Sequence, residues 1–234
     1  PVPRMSDLVA FSGGGNMAAS LIGGLLAAGH PAASIRVAEP DAARGQALGT
    51  RFGVEVRASA AAILHGADTV VLAVKPQQMR AALDGLQPDA GTCVVSIAAG
   101  IRLDLLRGLL GTQVHLVRSM PNTPALHGYG ISGVYAAPQT PEVARRRAET
   151  VLRAAGEICW LAQEEALDAV TAVSGSGPAY FFLVVEAMRE AGVALGLSPQ
   201  TAAQLATRTC IGAARMLEAG TLDAAELRVQ VTSP

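Results

Sequence analysis

Gly13-Gly14-Gly15-Asn16-Met17-Ala18 follows the apolar run Leu8-Val9-Ala10-Phe11 and precedes Ala19-Ser20-Leu21-Ile22-Gly23-Gly24-Leu25-Leu26. The first run predicts a strand. The last, with large apolar residues paired one turn apart, predicts a helix. Gly13, Gly15 and Ala18 fill a G-x-G-x-x-A pattern at the joint. In such a turn the first glycine makes the bend and the second lets the backbone approach a pyrophosphate. The third small residue keeps the helix close to the sheet. The helix start adds unsatisfied N–H groups and the positive end of the helix dipole. These features predict an anion cradle for a dinucleotide and favour an enzyme over a binding module.

Outward from this turn, apolar β-branched runs alternate with Ala/Leu-rich helical stretches. Ile35 to Ala38, Val54 to Val56, Thr69 to Val74, Cys93 to Ile97 and Val114 to Val117 read as strands. Residues 41–49, 59–65, 77–86 and 103–110 between them read as helices. Two further strands, Ile131 to Tyr135 and Ile158 to Leu161, flank a helix at 141–155, whose Arg145-Arg146-Arg147 reads as a solvated face. Such alternation implies βαβ units and a mostly parallel sheet covered on both faces. After Leu161 the pattern is helical throughout, at 164–173, 179–195, 199–219 and 223–230. Ser198-Pro199 supplies an N-cap followed by a first-turn proline. Phe181, Phe182, Val184, Val185 and Met188 make one helix more apolar than a surface helix should be. The fold class is thus α/β. A Rossmann-type, mostly parallel sheet spans residues 1–162, and an all-helical dimerisation domain that buries itself against a partner chain spans 163–234. A helical cap over the sheet is the alternative.

Half of the 234 residues are hydrophobic but only 3% are aromatic, so the core must be built from Ala, Leu and Val. A net charge of -1 gives no electrostatic case for nucleic acid. No apolar run approaches the roughly 18 residues of a membrane span. No basic segment leads into a hydrophobic core at the N-terminus, so a cytoplasmic protein is expected. Cys93, Cys159 and Cys210 lack metal-ligand or redox spacing and read as small buried hydrophobes. His30, His65, His115 and His127 are scattered, and no metal site is expected.

Ligands of an open parallel sheet bind at the carboxyl ends of its strands. There Glu39 could accept from an adenosine ribose, or could simply precede a surface turn. Ala73-Val74-Lys75-Pro76 ends another strand, with Lys75 facing a phosphate or forming an ion pair. Ile97-Ala98-Ala99-Gly100 leaves room for a flat ligand. Met120-Pro121-Asn122-Thr123-Pro124 is a rigid loop whose Asn122 amide either projects to a ligand or caps the strand. Ser174-Gly175-Ser176-Gly177-Pro178 reads as a loop between helices that exposes N–H donors or makes a tight turn. It follows a helix rather than a strand, so a serine-hydrolase nucleophile elbow fails on context.

Taken together, GGGNMA at 13–18, AVKP at 73–76, MPNTP at 120–124, DAVTAVSGSGPAYFF at 168–182 and VTSP at 231–234 resemble the pyrroline-5-carboxylate reductase family. The resemblance runs from about Val9 to the last residue. It implies reduction of 1-pyrroline-5-carboxylate to L-proline by NADPH or NADH, in a homodimer that can assemble further into a decamer. Carried over by position, Ser12, Gly13, Gly14, Gly15, Asn16, Met17, Ala73, Val74, Lys75, Pro76, Ile97, Ala98 and Ala99 would contact the cofactor, with Glu39 at the ribose. Ser233 would lie at the substrate carboxylate, and Asn122, Ser174, Gly175, Ser176 and Gly177 near the reacting ring. No catalytic side chain is assigned, because a protonated cyclic imine already accepts hydride and the cofactor carries it.

The chain departs from the family at Ala60, where relatives carry Asn, and at Thr221, in place of a Glu. It stops at Pro234, before the family's GGTT segment, so a truncated helical domain is expected. Two rival readings are a related 3-hydroxyacid dehydrogenase type and a catalytically incomplete dinucleotide-binding protein.

Overall fold

Val9–Ser12 (β1) is buried at every position, as an interior parallel strand covered on both faces must be. The computed structural model describes residues 7–232. After β1 come α1 (Asn16–Ala27), β2 (Ile35–Ala38), α2 (Ala42–Phe52), β3 (Glu55–Arg57), α3 (Ala61–Leu64), β4 (Thr69–Leu72) and α4 (Met79–Leu83). The chain continues through β5 (Cys93–Ser96), α5 (Leu103–Leu110), β6 (His115–Met120), β7 (Gly130–Ala136), α6 (Glu142–Arg153) and β8 (Gly156–Trp160). Four helices follow: α7 (Ala166–Val170), α8 (Gly177–Ala194), α9 (Pro199–Glu218) and α10 (Ala224–Val231).

The eight strands form one sheet in the order β3-β2-β1-β4-β5-β6-β7-β8. All neighbours are parallel except β6 and β7, where Arg118 lies opposite Tyr135 and Met120 opposite Gly133. The sheet is thus the expected mostly parallel one. β1 has β2 on one side and β4 on the other, which puts the topological switch point at the carboxyl end of β1. Alternate side chains feed opposite faces: Ala10, Val70, Leu72 and Val94 pack toward α3, α4 and α5, while Val9, Phe11, Val37 and Val71 pack toward α1. Ala18 is fully buried, and Gly24 lies so close to the Ala154 carbonyl that no Cβ would fit. These two small residues bring α1 down onto its neighbours.

Some local readings are corrected. The stretch expected as a helix at 77–86 is a 3₁₀ turn at Pro76–Gln78 followed by the short α4. The arginine run on α6 is not simply solvated. Arg145 donates to the Ala137 carbonyl at 3.0 Å and lies over the Trp160 ring, and Arg147 bridges Asp7 and Asp68. Only Arg146, paired with Glu142, follows the expected pattern. Of the three cysteines Cys93 alone is buried, and Cys159 is exposed.

One compact unit ends at Ser176 and a second begins at Gly177. The segment that opens the helical region therefore belongs to the first unit by its contacts. Glu164 accepts from Arg118 Nη1 and from the Leu103 N–H, both at 2.7 Å, and Val170 packs on Gly133. The second unit is built from α8, α9 and α10. Ser198 caps α9 through the Thr201 N–H with Pro199 in the first turn, and Asp223 and Glu226 form a reciprocal capping box on α10. α8 and α9 approach closely where Gly192 meets Ala202. The first half of α8 is apolar and exposed, Phe181 by 61% and Phe182 by 68%.

Candidate functional site

A cavity of about 630 Å³ opens at the switch point, between the ends of β1, β2 and β4. Its floor is Ser12–Gly15. Gly13 has φ +103°, and a Cβ there would lie 2.7 Å from the Ala73 carbonyl oxygen, so only glycine serves. Gly15 has nothing within 4 Å of where its Cβ would be, although its φ of -70° suits any residue. The backbone at Gly15 is therefore open to an approaching group. It is also the N-cap of α1, which has no side-chain cap, so the first N–H groups of that helix remain to be satisfied. A pyrophosphate fits this cradle by charge, by donor direction and by the space a side chain would fill.

Glu39 sits at the cavity but is turned inward. Its Oε2 accepts from the Gly14 N–H at 3.0 Å and its Oε1 from the Asp41 N–H at 3.0 Å, with Arg44 Nη1 3.3 Å away. Three of its acceptor directions are thus occupied by the protein. Asp41 caps α2, and the Arg44 N–H, aided by the Arg44 guanidinium, holds its carboxyl below the usual range. Arg44 is half exposed at the rim. Asp41, Ser59 and Gln78 also line the cavity. Sequence reading passed over these three, although Asp41 carried the signal of an N-cap residue opening a helix.

Ala73, Val74 and Lys75 line the opposite wall. Lys75 forms no ion pair among the described residues and stays exposed. Asn16, Met17 and Pro76 border this region in sequence without lining the cavity. Ile97 and Ala98 are drawn into the core clusters, leaving Ala99 exposed at the end of β5.

Asn122 follows the end of β6 and is buried. Its Oδ1 accepts from the Ile131 N–H at 3.0 Å, so it caps the β6–β7 pairing, with the amide donors left over. The expected loop at 174–178 is not a loop. Thr171–Gly175 is one π-helical turn, Ser176 a bend, and Gly177 and Pro178 open α8. The Ser176 N–H donates to the Thr171 carbonyl at 2.8 Å, so it is not free for a ligand. Ser174 Oγ is likewise spent on the Val170 carbonyl. Ser233 lies outside the described residues.

Residues 8–100 match the family described as NADP oxidoreductase coenzyme F420-dependent, and residues 164–234 the family described as pyrroline-5-carboxylate reductase dimerisation. Fold, glycine cradle and these two matches define the class: an NAD(P)H-dependent oxidoreductase with a helical dimerisation segment. The pyrroline-5-carboxylate reductase of Pseudomonas aeruginosa is 49% identical over 228 residues, covering 97% of this chain and 84% of the relative. A solved pyrroline-5-carboxylate reductase from Coxiella burnetii superposes with TM-score 0.89 at 36% identity, over 98% of this chain and 86% of that one. The crystal structure of Plasmodium falciparum pyrroline carboxylate reductase with NADP bound gives TM-score 0.87 at 25% identity, over 99% and 86%. The chain belongs to the pyrroline-5-carboxylate reductase family.

Proposed function

We propose that this chain reduces 1-pyrroline-5-carboxylate to L-proline. The observation that carries the reading is the open glycine cradle at the switch point, in a chain 49% identical to a pyrroline-5-carboxylate reductase. Residues 12–17 hold the pyrophosphate: the Gly13 and Gly14 N–H groups are bonded to the Ala38 carbonyl and Glu39 and shape the turn, and the donors come from Gly15, Asn16 and Met17 at the start of α1. Residues 73–76 and 97–99 continue the cofactor wall, and Glu39 braces the cradle at its ribose end. Asn122, with Oδ1 committed to the Ile131 N–H, turns its amide donors toward the substrate. Residues 174–176 stand on the substrate side in the same reading. The dinucleotide-binding region is 1–162 and the helical region 163–234.

When bound, the nicotinamide supplies the hydride. The protein's task is to align two reactants and exclude water, which can supply a large part of the rate gain. The imine nitrogen takes its proton from water before it binds, so no carboxylate or imidazole of the chain has to move one. A kinetic pKa that shifts when a nearby side chain is replaced would contradict this.

NADPH is the preferred cofactor in this reading. Glu39 spends its charge on Gly14 and Asp41, while Arg44, at 3.3 Å from Glu39 and 3.7 Å from Asp41, is loosely enough held to meet a 2′-phosphate. A solved relative carries NADP. Oxidation of NADPH that depends on pyrroline-5-carboxylate tests the activity. An Arg44→Ala variant should lower kcat/KM for NADPH by roughly 10- to 100-fold, the worth of a charge-assisted hydrogen bond, and leave NADH nearly untouched. Equal losses for both cofactors would remove Arg44 from this role.

The assembly is a homodimer that goes on to a decamer, located in the cytoplasm, with no membrane or nucleic-acid partner. By length and composition the helical run Ala166–Ala194 could cross a membrane, which reading of unbroken apolar runs missed. The dimerisation match over residues 164–234 supports a partner chain as what covers it. Sedimentation at several protein concentrations distinguishes dimer from decamer.

A further inference from the structure

The π-turn at Thr171–Gly175 has a local cause. Proline at 178 has no N–H, and in a continuous α-helix its ring would strike the carbonyl of Ser174; one extra residue in the preceding turn relieves both problems. A wide turn has poorer hydrogen bonds than an α-turn, so its persistence invites a reason beyond geometry.

The packing supplies one. Gly175 backs onto Met120, the last residue of β6: a Cβ there would lie 2.7 Å from Met120 Cε. Gly133, opposite Met120 in the sheet, accepts Val170 in the same manner, with both valine methyls 2.8 Å from where its Cβ would be. Two glycines on facing elements thus seat α7 and the turn on the middle of β7 and the end of β6. At the other end of the segment, buried Glu164 is held at 2.7 Å by Arg118, two residues before Met120, and by the Leu103 N–H. The stretch from 164 to 175 is therefore pinned to β6 at both ends. The hydroxyls of Thr171 and Ser174 are turned back on the Leu167 and Val170 carbonyls and lock the turn from within.

We propose that this π-turn is a positioning device for the reduction. By bearing on Met120 it sets where the 120–124 loop, and Asn122 with it, stands. The proposal rests on the reading above that Asn122 flanks the substrate. Glu164 anchors the device and Gly175, which the functional reading also sets on the substrate side, is its point of contact with Met120.

Deleting the exposed Ala172 from the full-length enzyme converts the π-turn to an α-turn. A shift of about 1 Å at a reacting pair can cost on the order of 100-fold, so kcat with pyrroline-5-carboxylate should fall by that order. The NADPH dissociation constant, measured by calorimetry without substrate, should stay at the wild-type value, while the thermal midpoint falls because the Pro178 ring again meets the Ser174 carbonyl. A folded deletion variant with wild-type kcat overturns the proposal. If the deletion does not fold, Gly175→Ala decides. Its Cβ forces the Met120 terminal methyl to move by about 1 Å, and because that flexible side chain takes up part of the displacement before it reaches the 120–124 loop, kcat should fall by about tenfold. Adding Met120→Ala should restore most of the loss by opening the space. A Gly175→Ala enzyme at wild-type kcat, or a loss that Met120→Ala leaves unrepaired, overturns the proposal. A wild-type enzyme inert toward pyrroline-5-carboxylate is a different failure, that of the functional reading beneath it.

Discussion

The Gly14 N–H donates to Glu39 Oε2 at 3.0 Å, so a buried carboxylate from the end of β2 holds the middle of the glycine turn in shape before any cofactor arrives. Its other oxygen does the same for the Asp41 N–H. Replacing Glu39 by Ala leaves both donors without acceptors and Arg44 with Asp41 alone. We expect a loss of about 1–3 kcal/mol in urea denaturation. Glu39→Gln, which keeps one carbonyl acceptor, should lose less. Equal stability of Glu39→Ala and wild type would mean that the brace is immaterial.

Two glycines of the first helical region separate binding from folding. Gly15 has open space and an ordinary φ, so Gly15→Ala should fold with only the small drop in thermal midpoint that alanine at an N-cap brings. The new methyl would stand where a pyrophosphate approaches and deny it an N–H, weakening NADPH by roughly 10- to 100-fold in a calorimetric titration. Gly24→Ala should behave in the opposite manner. Its methyl would fall on the Ala154 carbonyl and destabilise the fold by about 1–3 kcal/mol through overpacking.

The Arg118–Glu164 pair is buried, with side-chain exposures of 6% and 11%. Glu164→Ala strands the buried Arg118 charge and orphans the Leu103 N–H, whereas Arg118→Ala leaves Glu164 with the Leu103 N–H and, at 4.0 Å, Arg102. A loss of about 3–5 kcal/mol is expected for Glu164→Ala, and a smaller one for Arg118→Ala, measured by chemical denaturation. Less than 1 kcal/mol, roughly the worth of a surface pair, would contradict the burial argument.

Burial pushes the Cys93 thiol up to about 12, whereas Cys159 is exposed. The thiolate is the reactive form, so Cys93 should resist a thiol reagent at pH 8 until the protein is unfolded, while Cys159 reacts at once. Mass-mapping of the labelled native protein reads this directly. Early labelling at Cys93 would show that the sheet opens there.

The strand, glycine turn and first helix were legible because each rests on local chemistry: an apolar run, a positive-φ glycine and helical spacing. The alternation that followed implied the parallel sheet for the same reason. What escaped depends on approach between distant residues. Nothing near Glu39 in the chain reveals that Gly14 comes within hydrogen-bond reach of it. The antiparallel direction of β7 is likewise absent from the period-2 pattern of its side chains. Ser174 to Pro178 has the composition of a turn, and only the packing of Gly175 on Met120 and of Val170 on Gly133 explains why it is helical instead. Arg145 and Arg147 read as solvated because their partners, the Ala137 carbonyl and the carboxylates of Asp7 and Asp68, lie outside their own helix.

In α8, α9 and α10, Ala202 and Ala206 are the fully buried apolar side chains, while Phe181, Phe182, Leu183 and Val184 are more than half exposed. Two methyl groups make a poor interior. Three helices that carry most of their apolar surface on the outside cannot hold their shape by internal packing alone. Their order must then be a property of protein concentration, rising and falling by mass action with the covering of that surface. Dilution should therefore melt this part of the molecule and not merely separate it from its partner, while the sheet, with its own core, persists.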